Sequence, residues 1–172
     1  MKTTTPQTLD DFMAVALAME NEAVDRYTEF ADMMETHNNA DVATMFRTMA
    51  GYEAKHAQHI MDQMGWTSAP KVPREVVCWP GYESPEAAPI DDVHYLMKPY
   101  HALQLALAAE QRAEAFFGQL AAMTTNDSVR AAALEMQAEE AEHVALVTAW
   151  MAKVPQPDSD WSDDPDPPRY ID

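Results

Sequence analysis

The chain has 172 residues, enough for one domain of ordinary size, and its 29 Asp plus Glu against 11 Lys plus Arg give a formal charge of −18. A surface that acidic repels phosphate backbones, which excludes nucleic acid as a partner. Apolar residues make up 47% of the chain, the share of an ordinary globular domain, so the charge does not imply disorder.

No apolar signal segment opens the chain and no run of eighteen apolar residues occurs in it, so no membrane partner is expected and the expected location is the cytoplasm. A single cysteine, Cys78, excludes an intrachain disulfide, a CxxC pair and a four-thiolate metal site. It reads as a small buried apolar residue. Four Gly, and Pro confined to the start, middle and end, predict an all-α chain.

Leu9, Phe12, Met13, Ala16, Leu17, Ala23, Tyr27, Phe30, Ala31 and Met34 recur at helical spacing and predict a first helix over 8–36, with Thr8 as N-cap. His37-Asn38-Asn39 supplies its stop and the cap of a second helix, 39–64, which Gly65 ends. Residues 65–98 hold Pro70, Pro73, Pro80, Pro85 and Pro89 and read as a long crossover rather than a helix. Pro99 opens a third helix over 99–124, and Asn126 caps a fourth over 126–153. The acidic, Pro-rich tail, 155–172, is expected to stay solvated. Residues 1–154 thus form a four-helix bundle of hairpin, crossover and hairpin, in which the crossover either closes within the chain or exchanges a hairpin with a partner.

The two hairpins are copies. Ala16-Leu17-Ala18-Met19-Glu20 aligns with Ala106-Leu107-Ala108-Ala109-Glu110, Ala23 with Ala113, Tyr27 with Phe117 and Ala31 with Ala121. The second and fourth helices align Met49 with Met136, Glu53 with Glu140 and His56 with His143. Each hairpin therefore carries one Glu on its first helix and a Glu-x-x-His on its second. Positions i and i+3 share a helix face, so the Glu and His of each motif can hold one ion. Glu20, Glu53, His56, Glu110, Glu140 and His143 are the metal candidates, converging on the bundle axis. Four buried carboxylates repel one another unless protons or cations neutralise them, and two divalent ions restore the balance. Carboxylate and imidazole donors suit iron or manganese. The alternative is that these side chains are solvated and bind nothing.

Glu20-Asn-Glu-Ala-Val-Asp-Arg-Tyr27-Thr-Glu-Phe-Ala followed by Glu53-x-x-His56 resembles the ferritin-like superfamily, and within it the rubrerythrins. The resemblance covers the four helices, not the crossover or the tail. It implies a ferritin-like bundle, with Glu20 and Glu110 as terminal ligands, Glu53 and Glu140 bridging two iron ions, and His56 and His143 as imidazole ligands. It also implies that Tyr27 hydrogen-bonds a ligand carboxylate. Three departures stand out. Full-length rubrerythrins carry a four-Cys rubredoxin module, for which this sequence, with Cys78 as its single cysteine and none in the tail, lacks the ligands. Their extra Glu in the third helix has no counterpart one turn from Glu110, where Leu107 and Ala113 stand, although Glu114 is a possible substitute. Finally, the symmetry mate of Tyr27 is Phe117.

Among other residues, His59 reads as an alternate ligand or an exposed histidine, and Glu139 and Glu142 as solvated or as orienting an imidazole. The 13 Met, among them Met13, Met19, Met34, Met49 and Met136, read as core filler in preference to sacrificial oxidation sites. The expected function is a di-iron carboxylate oxidoreductase with two iron ions, or manganese or a mixed pair. It would react with O2 or a hydroperoxide, take electrons from a rubredoxin or a flavoprotein, and assemble as a homodimer. Two other readings are a ferroxidase or iron-storage protein, to which the negative charge would draw cations, and a non-catalytic structural bundle.

Overall fold

Four helices account for most of residues 5–72, 79 and 83–167, the residues described by a computed structural model of the chain. They are α1 (Leu9–Thr36), α2 (Ala40–Met64), α3 (Pro99–Met123) and α4 (Asp127–Met151), with one 3-10 turn at Ile90–Asp92 and no strand among the described residues. Each bound falls within two residues of the expectation. Cys78, together with Pro73 and Pro80 of the crossover, lies outside the described residues.

The helix ends follow local chemistry. The Thr8 hydroxyl accepts from the Asp11 N–H at 3.1 Å, and Asn126 Oδ1 accepts from the N–H groups of Ser128 and Val129. Gly65 closes α2 at φ +66°, a left-handed conformation in which a Cβ is strained. Asn38, at φ +56°, stops α1, asparagine being one of the few other residues that tolerates this region. Asn39 departs from the expectation. It occupies the cap position of α2 but its side chain does not cap it. Instead its Nδ2 donates to the carbonyls of Tyr95 and Met97, at 3.2 and 2.8 Å, which ties the end of the crossover to the bundle.

α1 packs along α2 and α3 along α4, and the two hairpins meet along α2–α3 and α1–α4. Their apolar faces form two blocks. Phe30, Met34, Phe46, Met97 and Leu103 build one, with the Phe30 and Phe46 rings 5.2 Å apart. Phe12, Leu17, Ile60, Phe117 and Val129 build the other, with Phe12 and Phe117 edge to face at 6.0 Å. Met13, Met19, Met34, Met49 and Met136 are buried within these blocks, as gap-filling residues are. The blocks are separated at one level of the bundle. On α1, Met19 belongs to one block and Ala23 to the other, with Glu20 between them; on α3, Ala106 and Ala113 straddle Glu110 in the same way.

The crossover is more than a connection. Residues 83–88 lie across α1 and α3 like a strap. From α1, Arg26 donates to the Ala88 carbonyl at 2.6 Å and pairs with Glu83, while Glu22 accepts from the Ser84 N–H at 3.2 Å. From α3, Arg112 donates to the Pro85 and Ala87 carbonyls, at 2.8 and 3.3 Å. The tail also departs from a purely solvated segment. Asp158, Asp160 and Asp163 are exposed, but Trp161 is half-buried with its ring centroid 3.8 Å from that of His101, and the Tyr95 hydroxyl donates to Asp164. One aromatic ring with a flat apolar face to cover is enough to dock an otherwise polar segment.

Asn126→Ala should lower stability by about 1 to 2 kcal/mol, because Asn126 both caps α4 and donates from Nδ2 to the Gln7 carbonyl at 2.8 Å. The check is a urea unfolding curve: the midpoint falls while the slope stays that of the parent. An unchanged midpoint contradicts the assignment.

Candidate metal centre

Each helix delivers one carboxylate to the layer between the apolar blocks: Glu20 from α1, Glu53 from α2, Glu110 from α3 and Glu140 from α4, none more than 1% exposed. One turn beyond Glu53 and Glu140, His56 and His143 project from α2 and α4 towards each other, with ring centroids 4.3 Å apart. Their side chains retain 21% and 12% exposure, so the imidazole side is the part of the layer nearest solvent. All six residues singled out from the sequence are thus brought together.

The repeat persists in the contacts. His143 Nδ1 lies 3.3 Å from Glu110 Oε2 and 3.8 Å from Glu140 Oε2, and in the other hairpin His56 Nδ1 lies 3.9 Å from Glu20 Oε1. Donor atoms cluster within 4.8 Å of one another in four sets: Glu20, His56 and Glu140; Glu110, Glu140 and His143; Glu53, His56 and His143; and Glu20, Glu53 and Glu86. Glu140 joins donors of both hairpins, and so does Glu53.

Glu86 is the residue that sequence reasoning missed. It comes from the strap, is 1% exposed and faces the Glu20–Glu53 side of the layer. The crossover has no helical period, so no register pointed to it. A signal does exist at positions 22 and 112, which are equivalent in the two hairpins. One holds an acid and the other a base, and these bind an N–H and two carbonyls of the strap respectively.

The remaining candidates sort by position. Tyr27 is buried, its ring stacked 6.1 Å from Phe46, but its hydroxyl makes no hydrogen bond, so the expected bond to a ligand carboxylate is absent. Packing against Phe46 sets the ring, and the hydroxyl is left beside acids without closing on one. Glu114 is half-buried and His59 exposed, and neither joins a donor set. Glu139 is half-buried with Oε2 4.0 Å from His56 Nδ1, close enough to favour one orientation of that ring, whereas Glu142 is exposed.

Burial dominates the electrostatics. Desolvation, followed by the neighbouring carboxylates Glu86, Glu20 and Glu110, pushes Glu140 up to about 12. Desolvation followed by the charge of Glu110 raises Glu86 to about 8. Glu20 and Glu53 lie well above the usual carboxylate range for the same reasons, burial first. Burial, then the neighbouring His143, lowers His56 to about 4. Both oxygens of Glu20, Glu86 and Glu140, Oε2 of Glu53 and Nδ1 of His56 are buried without a hydrogen-bond partner. Native cores rarely leave polar atoms in that state unless something else binds them. Carboxylate oxygens and an imidazole nitrogen that lack partners are what a pair of cations satisfies, and the absence of thiolate suits iron or manganese. The residues fit such a pair.

The rubrerythrin family matches residues 11–78, which span α1, α2 and the start of the crossover. The crystal structure of an uncharacterized conserved protein from Magnetospirillum magnetotacticum MS-1 is 39% identical to this chain, with a TM-score of 0.63, and covers 88% of this chain and 98% of its own. No curated protein matches the chain.

The raised acids give the metal-free protein an unusual pH dependence. A carboxyl whose folded pKa exceeds its unfolded value holds its proton longer in the folded state, so stability falls as pH rises between the two; for Glu86 that interval runs from about 4.5 to about 8. His56 acts oppositely, but only between about 4 and 6.5. From pH 6.5 to 8 the metal-free protein should therefore lose about 1.4 kcal/mol per pH unit for each proton the folded state alone retains. Melting curves with and without divalent metal check this: bound metal displaces these protons, so the loaded protein should not share the decline. A flat or rising metal-free profile across that window contradicts the electrostatic account.

Proposed function

This chain belongs to the rubrerythrin family of ferritin-like di-iron proteins, and from that premise we propose that it is a di-iron oxidoreductase reducing hydroperoxide or O2 with electrons from outside. The carrying observation is the buried layer of acids and imidazoles drawn in matching sets from two repeated hairpins. Two ions held between them would supply one electron each and open coordination positions for the oxidant. A hydroperoxide takes up two electrons and two protons and leaves as an alcohol, or water, plus water. The electrons come from a small redox protein such as a rubredoxin or a flavoprotein.

The side chains divide the remaining work. Glu20 and His56 would hold one ion, and Glu110 and His143 the other. Glu53 and Glu140, each grouped with donors of both hairpins, would bridge them. The apolar blocks of Phe30, Phe46 and Leu103 on one side, and of Phe12, Leu17 and Phe117 on the other, exclude water above and below the layer. The partly exposed face of His56 and His143 offers a small oxidant its shortest approach. Tyr27, whose hydroxyl makes no hydrogen bond, lines the layer from α1 by packing its ring against Phe46 rather than by bonding a ligand carboxylate. A homodimer is the assembly we infer for the working protein. The charge of −18 favours iron handling as a second reading, because it concentrates cations at the surface.

Anaerobic loading with Fe(II), elemental analysis, and rapid mixing with H2O2 or O2 separate these readings. Two irons per chain, oxidised faster by H2O2 than by O2 and re-reduced by a donor, is the expected outcome. Faster reaction with O2 and uptake well beyond two irons would favour ferroxidase or storage. Glu53→Ala and His56→Ala should each slow the peroxide reaction roughly a hundred-fold or more. A wild-type protein that retains no metal overturns the proposal and leaves a structural bundle.

A further inference from the structure

We propose that Glu86 is a seventh ligand of the metal centre, supplied by the crossover strap and directed at the ion held by Glu20 and Glu53. This inference rests on the di-metal reading of the site. It stands on two independent observations. The first is the side chain itself: Glu86 is 1% exposed, both its oxygens lack any hydrogen-bond partner, and a carboxylate oxygen of Glu86 lies within 4.8 Å of oxygens of Glu20 and Glu53. An acid merely caught in a loop would turn to solvent or find a donor, because burying a carboxyl group without a partner is unfavourable.

The second observation is that the backbone on both sides of Glu86 is held in place. Arg112 donates Nε to the carbonyl of Pro85 and Nη2 to that of Ala87, the two residues flanking Glu86. Arg26 fixes Ala88, and Glu22 accepts from the Ser84 N–H. Ala87 and Ala88, the strap residues that follow Glu86, are themselves buried. Three long polar side chains on two helices, all spent on six residues of irregular chain, hold one carboxylate against the layer. They anchor α1 and α3, the helices that bear Glu20 and Glu110, so the strap closes the side of the centre away from the imidazoles of α2 and α4.

With Glu86 included, the donors are five carboxylates and two imidazoles. Five negative charges exceed those of two divalent ions by one and fall one short of two trivalent ions. The seventh donor therefore favours the oxidised pair relative to a six-donor site and makes the two ions unequal. The ion beside Glu20 and Glu53 gains an oxygen donor that the ion beside Glu110 does not.

Co(II) is a suitable probe, because its visible ligand-field absorption changes with coordination number and donor set. Wild-type protein, Glu86→Gln and Glu53→Ala are titrated with Co(II) against a competing chelator, with helical circular dichroism of each metal-free protein as the folding control. The expected result is two Co(II) per wild-type chain. In Glu86→Gln one of the two should bind about ten-fold or more weakly, with altered band intensity. Glu86→Gln with wild-type affinity and spectrum, alongside a Glu53→Ala that loses metal, overturns the role of Glu86 and leaves the di-metal reading intact. Wild-type protein that binds no Co(II) overturns both. The crystal structure of the Co(II)-loaded wild-type protein decides the matter without any variant: a Glu86 oxygen at about 2.1 Å from the ion supports the assignment, and one at hydrogen-bond distance or beyond overturns it.

Discussion

The structure depends on keeping five carboxylates in one buried layer. Glu20, Glu53, Glu86, Glu110 and Glu140 are each within 1% of complete burial. An unpaired buried charge costs several kcal/mol even after relaxation, whereas a domain of this size is stable by only about 5 to 15 kcal/mol in all. Five bare charges would unfold the bundle, so the layer exists either with protons on it or with cations in it. The raised pKa values of Glu20, Glu53, Glu86 and Glu140 describe the first state. The unpartnered oxygens define what the second has to supply.

That constraint accounts for the arrangement of the apolar residues. A fully buried Leu or Phe contributes about 1.5 to 3 kcal/mol, and the chain places such residues on both sides of the acid layer rather than in one central core. Phe30, Phe46 and Leu103 clamp the bundle on one side, and Phe12, Leu17 and Phe117 on the other. Between them the four helix acids are held at one level against their own repulsion. Small residues keep the helices close at that level: Ala23, Ala50, Ala57, Ala106, Ala109 and Ala113 all lie within a turn or so of a layer Glu.

Wherever the chain is periodic, the sequence was legible. Apolar spacing placed the helices, and superposing one hairpin on the other isolated Glu20, Glu53, His56, Glu110, Glu140 and His143 before any geometry was known. The rest depends on contacts between segments that share no period. Asn39 has the chemistry of a cap, yet the crossover competes for its side chain and wins two bonds. Trp161 sits in a run of acids and prolines, and it docks through contacts with His101, His94 and the apolar block beside them, none of which shares a period with the tail. Glu86 falls between Pro85 and Pro89, where no register says which way a side chain points. Tyr27 shows the reverse limit: the resemblance anticipated a hydrogen bond, but its ring obeys Phe46 and the bond is not made.

The departures from two-fold symmetry lie together on one side of the centre. Tyr27 faces the layer from α1, and its mate on α3 is Phe117, packed in the apolar block beside Phe12. Glu22 on α1 and its mate Arg112 on α3 differ in charge because one meets an N–H of the strap and the other meets carbonyls. A duplicated hairpin starts with two equivalent halves, and equivalent halves make equivalent ion positions. A single strap passing once across α1 and α3 cannot respect that symmetry, because a chain segment presents its donors and acceptors in one direction only. The residues that bind it had to diverge, and the carboxylate it carries joins the donor set of Glu20 and Glu53. The asymmetry of the centre therefore follows from the connection between the hairpins, the segment that a reading of the helices alone treats as a linker.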